Sequence, residues 1–144
     1  MPLRVFAAAA LVLSTAAITG CSAKLPAADT CSHFLDKAAK SGLGENLAAA
    51  NRAMVSGDYG MAIKPYRDFA SLLSKAADDS SDEQLAISLR AVAGWSDRIA
   101  SIMGDESLDR TSKGKQLTEQ MLSAEFQEQS RSLYRVCPGI EELG

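Results

Sequence analysis

The chain predicts an all-α fold, a four-helix antiparallel up-and-down bundle, on two observations. Four spans of similar length carry apolar residues three and four apart, the spacing that gathers them on one face of a helix. No stretch alternates apolar and polar residues between turn signals, so no sheet is expected. Four such helices joined by short loops pack most economically as an antiparallel bundle.

The first helix is expected to begin near Cys31, with Asp29 or Thr30 as its cap. Its stripe runs through Phe34, Leu35, Ala38, Leu43, Leu47, Ala50 and Met54. Gly42 and Gly44 interrupt it, each costing about 1 kcal/mol relative to Ala, and a kink or short break is expected there. Ser56-Gly57-Asp58 is a turn. The second helix runs to about Ala77 with Ile63, Tyr66, Phe69, Leu72, Leu73 and Ala76 on its inner face. Pro65 either kinks it or opens its regular part.

Asp78-Asp79-Ser80-Ser81-Asp82-Glu83 reads as a turn and helix start, with Ser80 or Ser81 as cap and the acids at the positive helix end. The third helix carries Leu85, Leu89, Val92, Ser96, Ile99 and Met103, and Gly104 stops it. A mixed-charge loop follows. The fourth helix is expected to be capped near Thr111 or Ser112 and to run to Val136, with Leu122, Phe126, Gln129, Leu133 and Cys137 on one face. Pro138-Gly139 ends it.

The chain has 144 residues, 47% of them apolar and only 6% aromatic, so the core must be built mainly from Ala, Leu, Ile, Val and Met. One domain is the default at this length. The net charge of −3 gives no general field to attract phosphate backbones, and no nucleic-acid partner is expected.

The N-terminus reads Met1-Pro2-Leu3-Arg4 and then an apolar run from Val5 to Ile18, the pattern of an export signal and too short for a transmembrane helix of about 20 residues. Ile18-Thr19-Gly20-Cys21 resembles the lipobox of bacterial lipoproteins: an aliphatic residue, a small residue, Gly or Ala, then Cys. The resemblance implies a signal peptide over 1–20, cleavage before Cys21, and a diacylglyceryl group on the Cys21 thiol. It places the protein at the cell membrane, lipid-anchored and facing the extracytoplasmic side. Two acyl chains hold a protein stably where one holds it marginally. Residues 21–30, with Pro26, are then a lipidated tether, 31–137 the bundle and 138–144 a short tail. The Ala-rich helical domain as a whole resembles the small helical lipoproteins of high-GC Gram-positive bacteria, which have no common function to carry over.

With Cys21 lipidated, Cys31 and Cys137 remain, and an even pair in an oxidising compartment reads as a disulfide. The bridge joins the start of the first helix to the end of the last, which an up-and-down bundle permits when its helix count is even.

Few residues suggest chemistry. His33, the one histidine, cannot form a metal cluster with others and reads as a surface or boundary residue rather than a ligand contact. The acidic run from Asp78 to Glu83 lacks the spacing of a calcium loop. No nucleophile elbow, phosphate loop or dinucleotide motif occurs. No cofactor, metal or catalysis is expected. Gly57-Asp58-Tyr59 with Ala62, Ile63 and Tyr66 resembles a tetratricopeptide turn, but nothing similar follows 34 residues on at Ala91, and fewer than about three repeats make no solenoid. Tyr59, Tyr66 and Trp95 are the candidate partner-binding residues, since amphipathic aromatics dominate binding hot spots.

The expected function is a lipid-anchored, non-enzymatic module that binds an envelope protein. The alternative is a carrier of a lipid or other small apolar ligand. An exposed apolar patch around Tyr59, Tyr66 or Trp95 would favour the first. A concave apolar pocket of several hundred Å3 would favour the second.

Overall fold

The computed structural model describes residues 23–143, so the expected signal over 1–20 and the lipidation site Cys21 lie outside the described residues. The described chain is all-helical: α1 (Ala27–Lys40), α2 (Leu43–Ser56), α3 (Tyr59–Asp79), α4 (Glu83–Gly104), α5 (Arg110–Met121), α6 (Ala124–Val136) and a closing 3-10 turn at Ile140–Leu143. The count is six helices, not four. The expected first and fourth helices are each broken in two.

The first break falls at Gly42, whose φ of 64° is the left-handed conformation that glycine adopts without strain. The Ser41 and Gly42 N–H groups close α1 by donating to the Lys37 and Ala39 carbonyls at 3.0 and 3.1 Å. The second break lies at Leu122-Ser123. The Leu122 N–H donates to the Thr118 carbonyl at 3.0 Å, and Ser123 Oγ accepts from the Phe126 N–H at 3.3 Å to cap α6. This turn leaves Leu122, expected on the inner stripe, 69% exposed.

Both ends of the fold reach further than expected. Helix α1 begins at Ala27, inside the expected tether. The Leu25 N–H donates to the Asp79 carbonyl and the Ser81 N–H to the Leu25 carbonyl, each at 2.7 Å. Thr30, expected as a possible cap, is buried within α1 and donates its hydroxyl to the Pro26 carbonyl at 3.0 Å. At the other end Gly139, at φ 99°, turns the chain so that Ile140 is buried in the core. The expected tail is therefore part of the fold. The expected serine and threonine caps give way to carboxylates, which are stronger acceptors: Asp82 accepts from the Leu85 N–H at 2.8 Å, and Asp109 from the Ser112 N–H at 2.7 Å.

The two uninterrupted helices, α3 and α4, form the central hairpin on which the rest packs. All six residues of the expected α4 stripe, Leu85 to Met103, are buried. Helix α3 runs through Pro65 rather than starting there. Pro65 has no N–H to give the Met61 carbonyl its usual helix bond, and Met61 stands on the solvent side, 68% exposed. Ala38, Ala62 and Ala100, each fully buried, let the helices approach closely.

The core has two clusters. One surrounds the Cys31–Cys137 disulfide, with Phe34, Leu73, Leu89 and Leu133. The two Cα atoms are 5.4 Å apart, and both cysteines are buried. The other cluster, toward the opposite end, holds Leu43, Leu47, Tyr66, Ile99 and Met103. Helix α5 contributes one buried residue, Leu117.

Candidate functional site

The second cluster does not close. Helix α2 packs on α3, and α5 and α6 pack on α4. Between them lies a cavity of about 480 Å3, within the usual range for small-molecule sites. Leu47, Asn51, Met54 and Val55 line it from α2, and Leu117, Thr118 and Met121 from α5. From α6 come Phe126, Ser130 and Tyr134, four residues apart and so on one helix face. Tyr59, Tyr66 and Phe69 of α3, Val92 and Trp95 of α4 and Gly114 of α5 complete the wall, with Ile140 and Leu143 beyond α6. Val55 and Met121, 91% and 43% exposed, mark the mouth.

Among the described residues, no side chain lining the cavity carries a charge. Of the chain's eight aromatic residues (four Phe, three Tyr, one Trp), six line it: Tyr59, Tyr66, Phe69, Trp95, Phe126 and Tyr134. Trp95 and Phe126 stack with ring centroids 3.7 Å apart and planes 16° apart. Tyr66 meets Trp95 edge-on at 6.3 Å. The indole N–H of Trp95 donates to the Gln120 carbonyl at 3.4 Å.

Polar atoms in the wall are mostly spoken for. The Tyr66 hydroxyl donates to Asn51 Oδ1 at 2.7 Å, and burial pushes its pKa up to about 12, so it stays protonated. Ser130 is the exception. It is 5% exposed, and its Oγ has no hydrogen-bond partner. Ser96 Oγ is also buried and unpartnered, but Ser96 does not line the cavity.

Helix α5 forms part of the wall and is held chiefly by polar ties. The Arg110 guanidinium donates to the Ser56 carbonyl and packs against Gly57, whose φ of 77° and missing side chain admit it. The cation also suits the negative end of α2. Lys113 Nζ donates to the Met103 carbonyl at 2.9 Å, and Arg98 donates to Gln120 Oε1 at 3.1 Å.

Of the residues singled out in the sequence, Cys21 lies outside the described residues, and Cys31 and Cys137 are bridged. Tyr59, Tyr66 and Trp95 come together, on a concave wall rather than a protruding patch. Tyr66 is 6% exposed, and Tyr59 and Trp95 are half-buried. Sequence reasoning did not single out Asn51, Ser130 and Tyr134. The four-residue spacing of Phe126, Ser130 and Tyr134 was a signal for them, hidden by the competing stripe that ends in Leu133 and Cys137. His33 is exposed, Asp78 pairs with Arg90 at 2.9 Å, and Asp82 is a helix cap. Among the described residues no three His, Cys, Asp or Glu side chains gather as a metal site would require. In comparisons with known proteins, no family model, no curated protein and no solved structure matches this chain.

Proposed function

We propose that this protein is a lipid-anchored cell-envelope carrier that holds one small apolar ligand in the cavity between α2, α5 and α6. The observation that carries the reading is the cavity itself: about 480 Å3, open on one side, rich in aromatic residues and, among the described residues, lined by no charged group. Burying an apolar molecule there gains the hydrophobic free energy without stranding a charge.

The envelope location and the anchor rest on the lipobox-like Ile18-Thr19-Gly20-Cys21. A lipid on Cys21 would keep the cavity near a bilayer, the natural store of apolar molecules. The carrier reading ranks above docking of an envelope protein because Tyr59, Tyr66 and Trp95 line a hollow. The reading assigns no catalysis and no cofactor.

Trp95, the only tryptophan, is a built-in reporter. Mature lipidated protein in nanodiscs is titrated with 2-acetylnaphthalene, a neutral probe, while Trp95 emission is followed. The expected result is saturable quenching at one probe per chain, weakened severalfold by Thr118→Phe, which adds a ring to the cavity wall. Quenching that never saturates, or that Thr118→Phe leaves unchanged, would overturn the reading.

A further inference from the structure

We infer that the cavity's ligand is uncharged and carries one hydrogen-bonding oxygen, an ester, ketone or alcohol, that pairs with Ser130. The inference rests on the carrier reading and narrows it to a chemical class, a neutral lipid or similar hydrocarbon-rich molecule.

Three observations combine. First, among the described residues no side chain lining the cavity is charged, so an ionised carboxylate or phosphate inside would meet no counter-charge there and would lose its hydration. Second, the Ser130 hydroxyl is buried beside the cavity with no partner, a condition that costs stability unless something answers it. Third, Ser130 sits midway between Phe126 and Tyr134 on the α6 face that lines the cavity. A single polar group in an apolar stripe fixes a ligand's orientation, as ligand sites commonly do.

The other hydroxyl in the deep wall, on Tyr66, already donates its proton to Asn51. Ser130 can still donate to a carbonyl or accept from an alcohol. Its Oγ turns about one bond among staggered wells, so a small rotation suffices to meet a ligand atom.

The test uses two probes of the same shape, 2-acetylnaphthalene and 2-isopropenylnaphthalene, in which a methylene replaces the carbonyl oxygen. Each is titrated into lipidated protein in nanodiscs, reading Trp95. Wild type should favour the ketone, and Ser130→Ala should cut the ketone-to-alkene affinity ratio by about threefold to tenfold. Alkene affinity should hardly change. Ser96, also buried and unpartnered, lies off the cavity, so Ser96→Ala should leave the ratio alone. Free Ser130→Ala protein should also melt at a higher temperature than wild type, because an unanswered hydroxyl has gone. Should Ser130→Ala fail to fold, the infrared carbonyl stretch of the ketone on wild type decides: a hydrogen-bonded frequency supports the pairing, and a frequency like that in hydrocarbon solvent refutes it. If both probes bind and Ser130→Ala leaves the ratio unchanged, the Ser130 pairing is overturned and the carrier reading stands. If neither probe saturates, the carrier reading falls too.

Discussion

Removing the Cys31–Cys137 bridge should lower the melting temperature sharply while leaving the helices formed at room temperature. The bridge spans 106 residues. In the chain-entropy treatment a closed loop of that length restricts the unfolded state by about 4.7 kcal/mol at 25 °C, and native bridges often deliver only about 2 to 4. The unfolding entropy of the 23–143 domain, at about 2.1 cal/mol/K per residue, is roughly 0.25 kcal/mol/K. The loss then converts to a fall of about 8 to 19 °C. The native state should suffer little, because both cysteines are buried among Phe34, Leu73 and Leu133, where a reduced thiol packs as a small hydrophobe. The assay is thermal melting by circular dichroism with and without reductant, repeated on Cys31→Ala/Cys137→Ala. A shift under about 2 °C would refute the unfolded-state argument. Loss of helical signal at 20 °C would show that the core cannot hold the fold alone.

Leu133→Ala, in the fully buried heart of the disulfide cluster, should cost about 2 to 5 kcal/mol by chemical denaturation, whereas Leu122→Ala, 69% exposed, should stay within about 0.5. Equal losses would mean that α6 is turned differently. Tyr66, with its pKa pushed by burial to about 12, holds its proton in the fold while an unfolded tyrosine loses it near 10. Its contribution is therefore complete below pH 10 and is lost as pH rises toward 12. Ultraviolet difference titration of wild type against Tyr66→Phe should reveal one late-titrating phenol. Asp109, whose carboxyl is held below the ordinary 3.8 by the Ser112 N–H it accepts, stabilises the start of α5 above that pH and loses the effect as pH falls through the lowered value. Asp109→Ala should speed amide exchange in α5 at neutral pH and leave exchange in α3 unchanged.

How much of this was legible in the sequence depended on the distance over which each feature is decided. The α4 stripe from Leu85 to Met103 is set within one helix, and every member is buried. The break at Gly42 was visible because two glycines mark it. The break at Ser123 was not, since a serine suits a helix surface nearly as well as a cap until tertiary packing selects the turn. The bridge between Cys31 and Cys137 followed from the cysteine count, but an even helix number fits six as well as four, so parity could not choose between them. At the site, Tyr59, Tyr66 and Trp95 were expected on an exposed patch, and they stand together on a concave wall. Whether aromatics bulge outward or line a hollow depends on how far α2 stands from α6, a distance that no local pattern encodes. Ser130 was not singled out, because its burial comes from neighbours on other helices.

A carrier of this design must bind a neutral apolar molecule in the hollow between α2, α5 and α6. Crystals of the protein soaked with 2-acetyl-6-bromonaphthalene test it most directly, by anomalous diffraction from the bromine. One bromine site per chain is expected inside the cavity lined by Trp95 and Phe126, with the acetyl oxygen within hydrogen-bond distance of Ser130 Oγ. Bromine found only on the outer surface, or no ordered site at saturating probe, would contradict it.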